Sequence, residues 1–169
     1  VLSKQAMRSY LRYWCDAFRL PGWSRERIVE SITVIDDHHL ADGLATGRGV
    51  VVALPHMGNW DHAGAWATLA HRPVVSVAER LEPEDLYEKF LAFRRSLGMD
   101  VIPLTGGEPV FPYLADRLRE GNLIALLGDR DLSNSGVPVQ FFGAKAKMPA
   151  GPAALAVDTG AVLITASLY

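Results

Sequence analysis

A histidine and an aspartate follow an apolar segment of the sequence. The run 50–54 is typical of a buried parallel strand, Pro55 ends it, and His56 and Asp61 come next, where an alanine-rich helical pattern begins. A neutral imidazole can take a proton from a hydroxyl, and a carboxylate on its second ring nitrogen fixes the tautomer and stabilises the imidazolium. We therefore expect His56 to act as a general base that Asp61 orients. The alternative is a helix cap beside an incidental histidine.

Two more charged residues follow a second apolar run. Residues 123–127 are all apolar, and Asp129 and Arg130 come directly after Gly128. Ligands of open α/β sheets bind beyond the carboxyl ends of the strands. Both residues are therefore candidates for the site, Asp129 first, and a salt-bridged turn is the alternative.

Arg94 lies at the margin of the apolar stripe in a helical pattern over 83–97. A guanidinium at this boundary between core and solvent suits a substrate phosphate or carboxylate. A surface ion pair is the alternative.

Two stretches of the chain resemble a known family. Gly49, the apolar run and His56-x-Gly58-Asn59-Trp60-Asp61 resemble the H-x4-D/E block of the lysophospholipid acyltransferase superfamily. Within it they are similar to the bacterial lipid A (lauroyl/myristoyl) acyltransferase branch, and most similar to its actinobacterial phosphatidylinositol mannoside acyltransferases. The string FFG…MPAGPAALAVDTGAVLI resembles the third block of that family, and the similarity extends from Gly47 to the C-terminus.

The resemblance implies an acyl-CoA-dependent O-acyltransferase. It would move a long fatty acyl group, palmitoyl, onto a mannose hydroxyl of a phosphatidylinositol mannoside without a covalent intermediate. It further implies that Asp129 lies near the catalytic histidine and that Arg94 contacts the acyl donor or a phosphate. The remaining expected substrate contacts are Asn59, Arg130, Ser135 and Phe142. Of these, Phe142 would line an apolar slot.

The resemblance also sets the expected partners and location. Acyl-CoA would be a co-substrate and the acceptor a glycolipid, with no cofactor and no metal. The protein would lie peripherally on the cytoplasmic face of the inner (plasma) membrane. Independently of the resemblance, the histidines, acids and the single cysteine match none of the standard zinc spacings.

Composition narrows the classes of function. The 17 basic and 19 acidic residues leave a net charge of −2, which argues against a nucleic-acid partner. Cys15 is the only cysteine, so no internal disulfide can form. The first 28 residues, by contrast, hold six basic and two acidic side chains. The helical pattern within 1–22 has an apolar stripe beside a basic one, so it is either a membrane-associating amphipathic helix or an ordinary packed helix.

The pattern of elements predicts a single α/β domain over 1–169, a mixed, largely parallel central sheet flanked by helices. Further strands are expected at 73–78, 100–104 and 160–169, helices at 4–18, 24–46, 62–70, 83–97, 109–120 and 153–159, and a polar loop at 133–139. Because the last strand pattern stops without a turn and members of the resembled family are longer, we expect the chain to be a fragment.

Three other functions fit the same residues. A hydrolase could use His56 and Asp61 to activate water on a lipid ester or thioester. A lipid-binding module without enzymatic activity could use the basic N-terminal helix and an apolar slot. A nucleotide-binding protein fits least well, because Gly47-x-Gly49 precedes the strand instead of following it.

Overall fold

The computed structural model describes residues 1–107, 109–131 and 136–169. The helices are α1 (Leu2–Arg19), α2 (Arg25–Glu30), α3 (His38–Ala45), α4 (Trp60–Ala70), α5 (Glu84–Ser96), α6 (Val110–Arg119) and α7 (Gly151–Thr159), with a 3₁₀ turn at Leu20–Gly22. The strands are β1 (Val50–Leu54), β2 (Val74–Ala78), β3 (Asp100–Pro103), β4 (Leu123–Leu127), β5 (Val137–Phe141), β6 (Ala144–Met148) and β7 (Val162–Thr165).

Five strands form one parallel sheet in the order β3-β2-β4-β1-β7. The α/β prediction is confirmed. The antiparallel part is a separate two-stranded sheet made of β5 and β6. In the parallel sheet, β1 and β4 are central neighbours, and their last residues, Leu54 and Leu127, lie side by side. Whatever follows these two strands therefore meets at one edge of the sheet.

The sheet carries a hydrophobic core on each face, because successive side chains of a strand point to opposite sides. On one face Val50, Val74 and Leu123 pack with buried residues from α2 to α5. On the other, Val51, Val75 and Ile124 pack against α6 and α7. This double burial explains why the central strands β1 and β4 are unbroken apolar runs.

The helix expected over 24–46 is wrong in its middle. Ser24 caps α2 by accepting a hydrogen bond from the backbone of Arg27 at 3.2 Å, but α2 ends at Glu30 and α3 begins only at His38. The segment between them contains four consecutive β-branched residues, 32–35, whose stiff side chains disfavour helix.

The loop expected over 133–139 is wrong at residues 137–139, which belong to β5; residues 133–135 lie outside the described residues. The two-residue turn of the hairpin of β5 and β6 consists of Phe142 and Gly143, with φ angles of 49° and 79°. Two central residues with positive φ are typical of the tight hairpin turn that matches the twist of the strands. Phe142 stands at the tip, where its side chain is 95% exposed.

Helix α1 turns a different side inward from the one its apolar stripe suggested. Tyr13 and Ala17 are its buried residues. Met7, Leu11 and Phe18, all part of the expected stripe, are between 56% and 72% exposed. Among the described residues, no helix has the length and hydropathy needed to cross a membrane. The outward-facing stripe remains compatible with contact at a membrane surface, which stays a prediction.

Candidate active site

The site forms where β1 and β4 end. His56 and Asp129 each lie two residues beyond their strand, and the ladder continues past the strand ends through a hydrogen bond from the backbone of Gly128 to Leu54, at 2.9 Å. Equal offsets from paired strands bring the two side chains together, although 73 positions separate them in the sequence.

The imidazole and the carboxylate form a short hydrogen bond. Nδ1 of His56 lies 2.6 Å from Oδ1 of Asp129. Burial opposes ionisation of Asp129, but hydrogen bonds from the imidazole and from backbone N–H groups outweigh it, so the pKa of Asp129 lies below its ordinary value. An ionised carboxylate only accepts, so Nδ1 carries the proton and Nε2 of the neutral ring carries the lone pair.

The second ring nitrogen faces an arginine. Nη2 of Arg130 lies 3.5 Å from Nε2 of His56, and a guanidinium can only donate, which agrees with a lone pair on that nitrogen. The His56 side chain is 31% exposed, so a substrate hydroxyl can reach it. At 3.5 Å the arginine contact is long, and an entering hydroxyl could replace it.

Asp61, expected to orient His56, has different partners. Its Oδ2 accepts a hydrogen bond from the hydroxyl of Tyr13 at 2.6 Å, and its Oδ1 accepts one from Nε of Arg94 at 2.8 Å. Asp61 is 2% exposed. The expectation is therefore corrected: the acid on the imidazole is Asp129, and Asp61 lies in the interior, where it joins α1, α4 and α5.

Arg94 makes a buried ion pair with Asp61 in place of the surface pair considered from sequence. Its side chain is 19% exposed. Burial raises the pKa of Tyr13, and the charge of Asp61 raises it further, so the phenol keeps its proton and donates. This network touches the site through one ring: Trp60 packs against Tyr13 at 4.5 Å between centroids and against His56 at 5.7 Å. Contact between Arg94 and an acyl donor stays a prediction.

Gly58 and Asn59 shape the turn that carries His56 into α4. Gly58 has a φ of 62°, and a Cβ there would collide with Leu168. Asn59 caps α4 by accepting a hydrogen bond from the backbone of His62 at 3.0 Å. Its Nδ2 is buried and has no partner among the residues that the structure describes. An unpartnered donor beside the site keeps Asn59 a candidate for substrate contact.

Two of the expected substrate contacts, Ser135 and Phe142, have no described contact with His56 or Asp129. Ser135 lies outside the described residues. Phe142, expected to line an apolar slot, lies at the exposed hairpin tip, and its contact with a substrate stays a prediction. Two cavities, one beside α2 and one beside α6, are not lined by His56. Within the described ranges, no three metal-ligating side chains are grouped to hold an ion.

Comparison with known proteins identifies the family. The family model for bacterial lipid A biosynthesis acyltransferases matches residues 1–169. The chain belongs to this family. It is 53% identical over 163 residues to a phosphatidylinositol mannoside acyltransferase of Mycolicibacterium smegmatis. The aligned region covers 96% of the chain and 54% of that relative. It is 47% identical over 162 residues to a phosphatidylinositol mannoside acyltransferase of Mycobacterium tuberculosis, covering 94% of the chain and 51% of the relative.

The chain thus spans about half the length of the curated relatives it matches. The resemblance to the lipid A acyltransferase family is confirmed. In this member of the family, two contributors to the site carried no signal of their own in the sequence. The sequence predicts Tyr13 on the surface of a helix, but its hydroxyl donates a hydrogen bond to Asp61. It predicts Leu168 at the end of a strand, but this residue packs against Gly58.

Proposed function

We propose that this chain is the catalytic part of an acyltransferase that transfers a long fatty acyl group, palmitoyl, from acyl-CoA to a mannose hydroxyl of a phosphatidylinositol mannoside. The observation that carries the proposal is the 2.6 Å contact between Nδ1 of His56 and Asp129 beside a partly exposed ring. The relatives' printed names, phosphatidylinositol mannoside acyltransferase, supply the acceptor.

The geometry supports direct transfer. Nε2 of His56 takes the proton of the mannose hydroxyl as its oxygen attacks the thioester carbonyl. The tetrahedral intermediate then expels the thiolate of coenzyme A, the carbon–sulfur bond breaks, and the thiolate receives the proton from the imidazolium. Asp129 stabilises that imidazolium between the two steps. No protein nucleophile takes part, so no acyl-enzyme forms.

Arg130 supplies positive charge beside the reacting nitrogen. Because its guanidinium lies 3.5 Å from Nε2 of His56, it is placed to bind a phosphate of the donor or the oxyanion of the intermediate. The unpartnered Nδ2 of Asn59 is a second donor close to the same turn. Both assignments are part of the proposal.

The proposed substrates favour a location at a membrane surface. A glycolipid acceptor stays anchored in the bilayer, so its hydroxyl must be reached there. The exposed Leu2, Met7, Leu11 and Phe18 of α1, with four basic residues along the same helix, fit a peripheral contact with anionic lipid. We place the protein on the cytoplasmic face of the plasma membrane, where acyl-CoA is available.

The test is the variant His56→Ala, assayed for transfer of labelled palmitate from palmitoyl-CoA to the acceptor. We expect the transfer rate to fall by about 10²–10⁴-fold while palmitoyl-CoA binding, measured by calorimetry, persists. The matched control is His71→Ala, because His71 also pairs with an aspartate, Asp37 at 2.8 Å, but lies at the far end of α4. Near-normal transfer by His56→Ala refutes the proposal. Free palmitate as the only product, with acceptor present, would identify a hydrolase.

A further inference from the structure

The hairpin of β5 and β6 has two chemically different faces. Its register places Val137 opposite Met148, Val139 opposite Ala146 and Phe141 opposite Ala144, so these six side chains share one wholly apolar face. The other face carries Pro138, Gln140, Lys145 and Lys147. Phe141 is 51% exposed, and segment 137–148 contains two lysines and no acidic residue.

The residue at the tip is an unusual choice for its backbone. Phe142 has a φ of 49°, which a bulky side chain rarely adopts, and such turns normally use asparagine or glycine. Its ring is 95% exposed and stands edge-on to Phe141, with 4.7 Å between centroids. The ring contacts Phe141, and the rest of the side chain faces solvent, so it is available for a contact outside the chain.

We propose that this hairpin tip inserts into the interfacial layer of a membrane containing anionic lipid. Aromatic rings favour the boundary between headgroups and acyl chains, and the exposed Lys145 complements the negative charge of the headgroups. Two projecting rings offer ~300–500 Å² at most. A stable protein–protein interface buries about 800 Å² per partner, which makes a deformable lipid surface the better fit.

The start of the hairpin is hydrogen-bonded to a residue that lies close in sequence to Asp129. The backbone N–H of Gly136, just before β5, donates a hydrogen bond to Asp131 at 2.9 Å, and Asp131 lies two residues after Asp129. A tip anchored in lipid would therefore hold the catalytic pair at the bilayer surface, close to a lipid acceptor. The role of the tip in positioning the catalytic pair rests on the proposed function. Binding of the tip to a membrane can be measured without any catalytic turnover.

The test compares Phe142→Gly and Phe142→Trp in vesicle co-sedimentation, using phosphatidylcholine vesicles with and without phosphatidylinositol. Glycine suits the positive φ, so its variant should keep or raise the melting temperature while binding to the anionic vesicles weakens by about tenfold or more. Tryptophan keeps an interfacial aromatic ring and should bind as the native protein does. His56→Ala should also bind normally, which separates this inference from the catalytic proposal.

The control is Val157→Ser, an exposed apolar residue on α7 at 86% exposure, which should leave vesicle binding unchanged. Native-like vesicle binding by Phe142→Gly overturns the inference. So does an equal loss in Val157→Ser, or a fall in melting temperature that accompanies the loss of binding. If Phe142→Gly instead dissociates a dimer, seen by sedimentation velocity, without changing vesicle binding, the tip contacts a second copy and the inference is wrong.

Discussion

Replacing Asp61 by alanine separates its two conceivable roles, holding the fold and orienting the base. The structure gives Asp61 two buried partners, Tyr13 and Arg94, and gives the imidazole a different acid. We therefore expect Asp61→Ala to lower the free energy of unfolding strongly, and to lower activity mainly through the fraction of protein that remains folded.

The size of the expected loss in unfolding free energy follows from the two buried partners, Tyr13 and Arg94, that Asp61→Ala leaves unpaired. Breaking a buried ion pair by removing one member costs about 3–5 kcal/mol, because the other charge stays buried without its partner. Arg94 is 19% exposed and can recruit some water, which favours the lower end, about 3 kcal/mol. For a domain of this size, that corresponds to a melting temperature lower by about 6–12 °C. Asp61→Asn keeps an acceptor and the shape, so we expect about half that loss.

The assay is thermal unfolding followed by circular dichroism, combined with the rate of acyl transfer at a temperature where each variant is folded. Asp85→Ala is the control, since Asp85 pairs with Lys89 at 3.5 Å on the surface, where such a pair contributes about 0–1 kcal/mol. A stable Asp61→Ala protein with transfer reduced by about 10²–10⁴-fold would refute the reasoning, because it would mean that Asp61 acts on His56 after all.

Two further predictions concern the site. Asp129→Asn should lower kcat by about 10²–10⁴-fold, and at neutral pH it should lower the melting temperature modestly because the ionised carboxylate no longer accepts the hydrogen bond from His56. The folded state depresses the pKa of Asp129 below its ordinary value of 3.8, so the ionised carboxylate stabilises the fold above that pH, and this contribution is lost as the pH falls through the depressed pKa. The unfolding free energies of the native protein and of Asp129→Asn should therefore converge in acid. Two curves that stay parallel as the pH falls would contradict this prediction. Gly58→Ala should destabilise the protein by at least ~1 kcal/mol in urea unfolding, because φ is positive and the new Cβ meets Leu168. Gly151→Ala, where an added Cβ would have no atom within 4 Å, is the matched control, and equal effects would count against the packing argument.

The parallel sheet could be predicted because the signal of each buried strand lies within a few consecutive residues. A strand buried on both faces must be apolar at every position, so Val50–Leu54 and Leu123–Leu127 were visible as runs. The meeting of His56 and Asp129 was within reach of the same logic. Each follows its strand by the same offset, and placing those strands side by side would have predicted the pair.

The partner of His56 was misassigned because closeness in sequence does not determine where a helical side chain points. Asp61 is the second residue of α4, and its direction is set by Tyr13 and Arg94, which lie 48 and 33 positions away. Neither long-range contact has a sequence signal.

The hairpin was missed for a different reason. Segment 137–148 does alternate with a period of two on both sides of Phe142-Gly143, but Pro138 and the lysines weaken strand propensity, and phenylalanine is a poor predictor of a turn. The alternation of apolar and polar residues was a stronger signal of strands than the residue propensities, because two paired strands with a shared apolar face require it.

The wide separation of His56 and Asp129 along the chain bears on synthesis at the ribosome. A nascent polypeptide that has emerged only as far as α6 already contains the imidazole but not the carboxylate, and β1 has yet to gain β4 as its neighbour. The incomplete chain therefore lacks the carboxylate that pairs with the imidazole, and the pair can form only once β4 has joined β1 in the middle of the sheet.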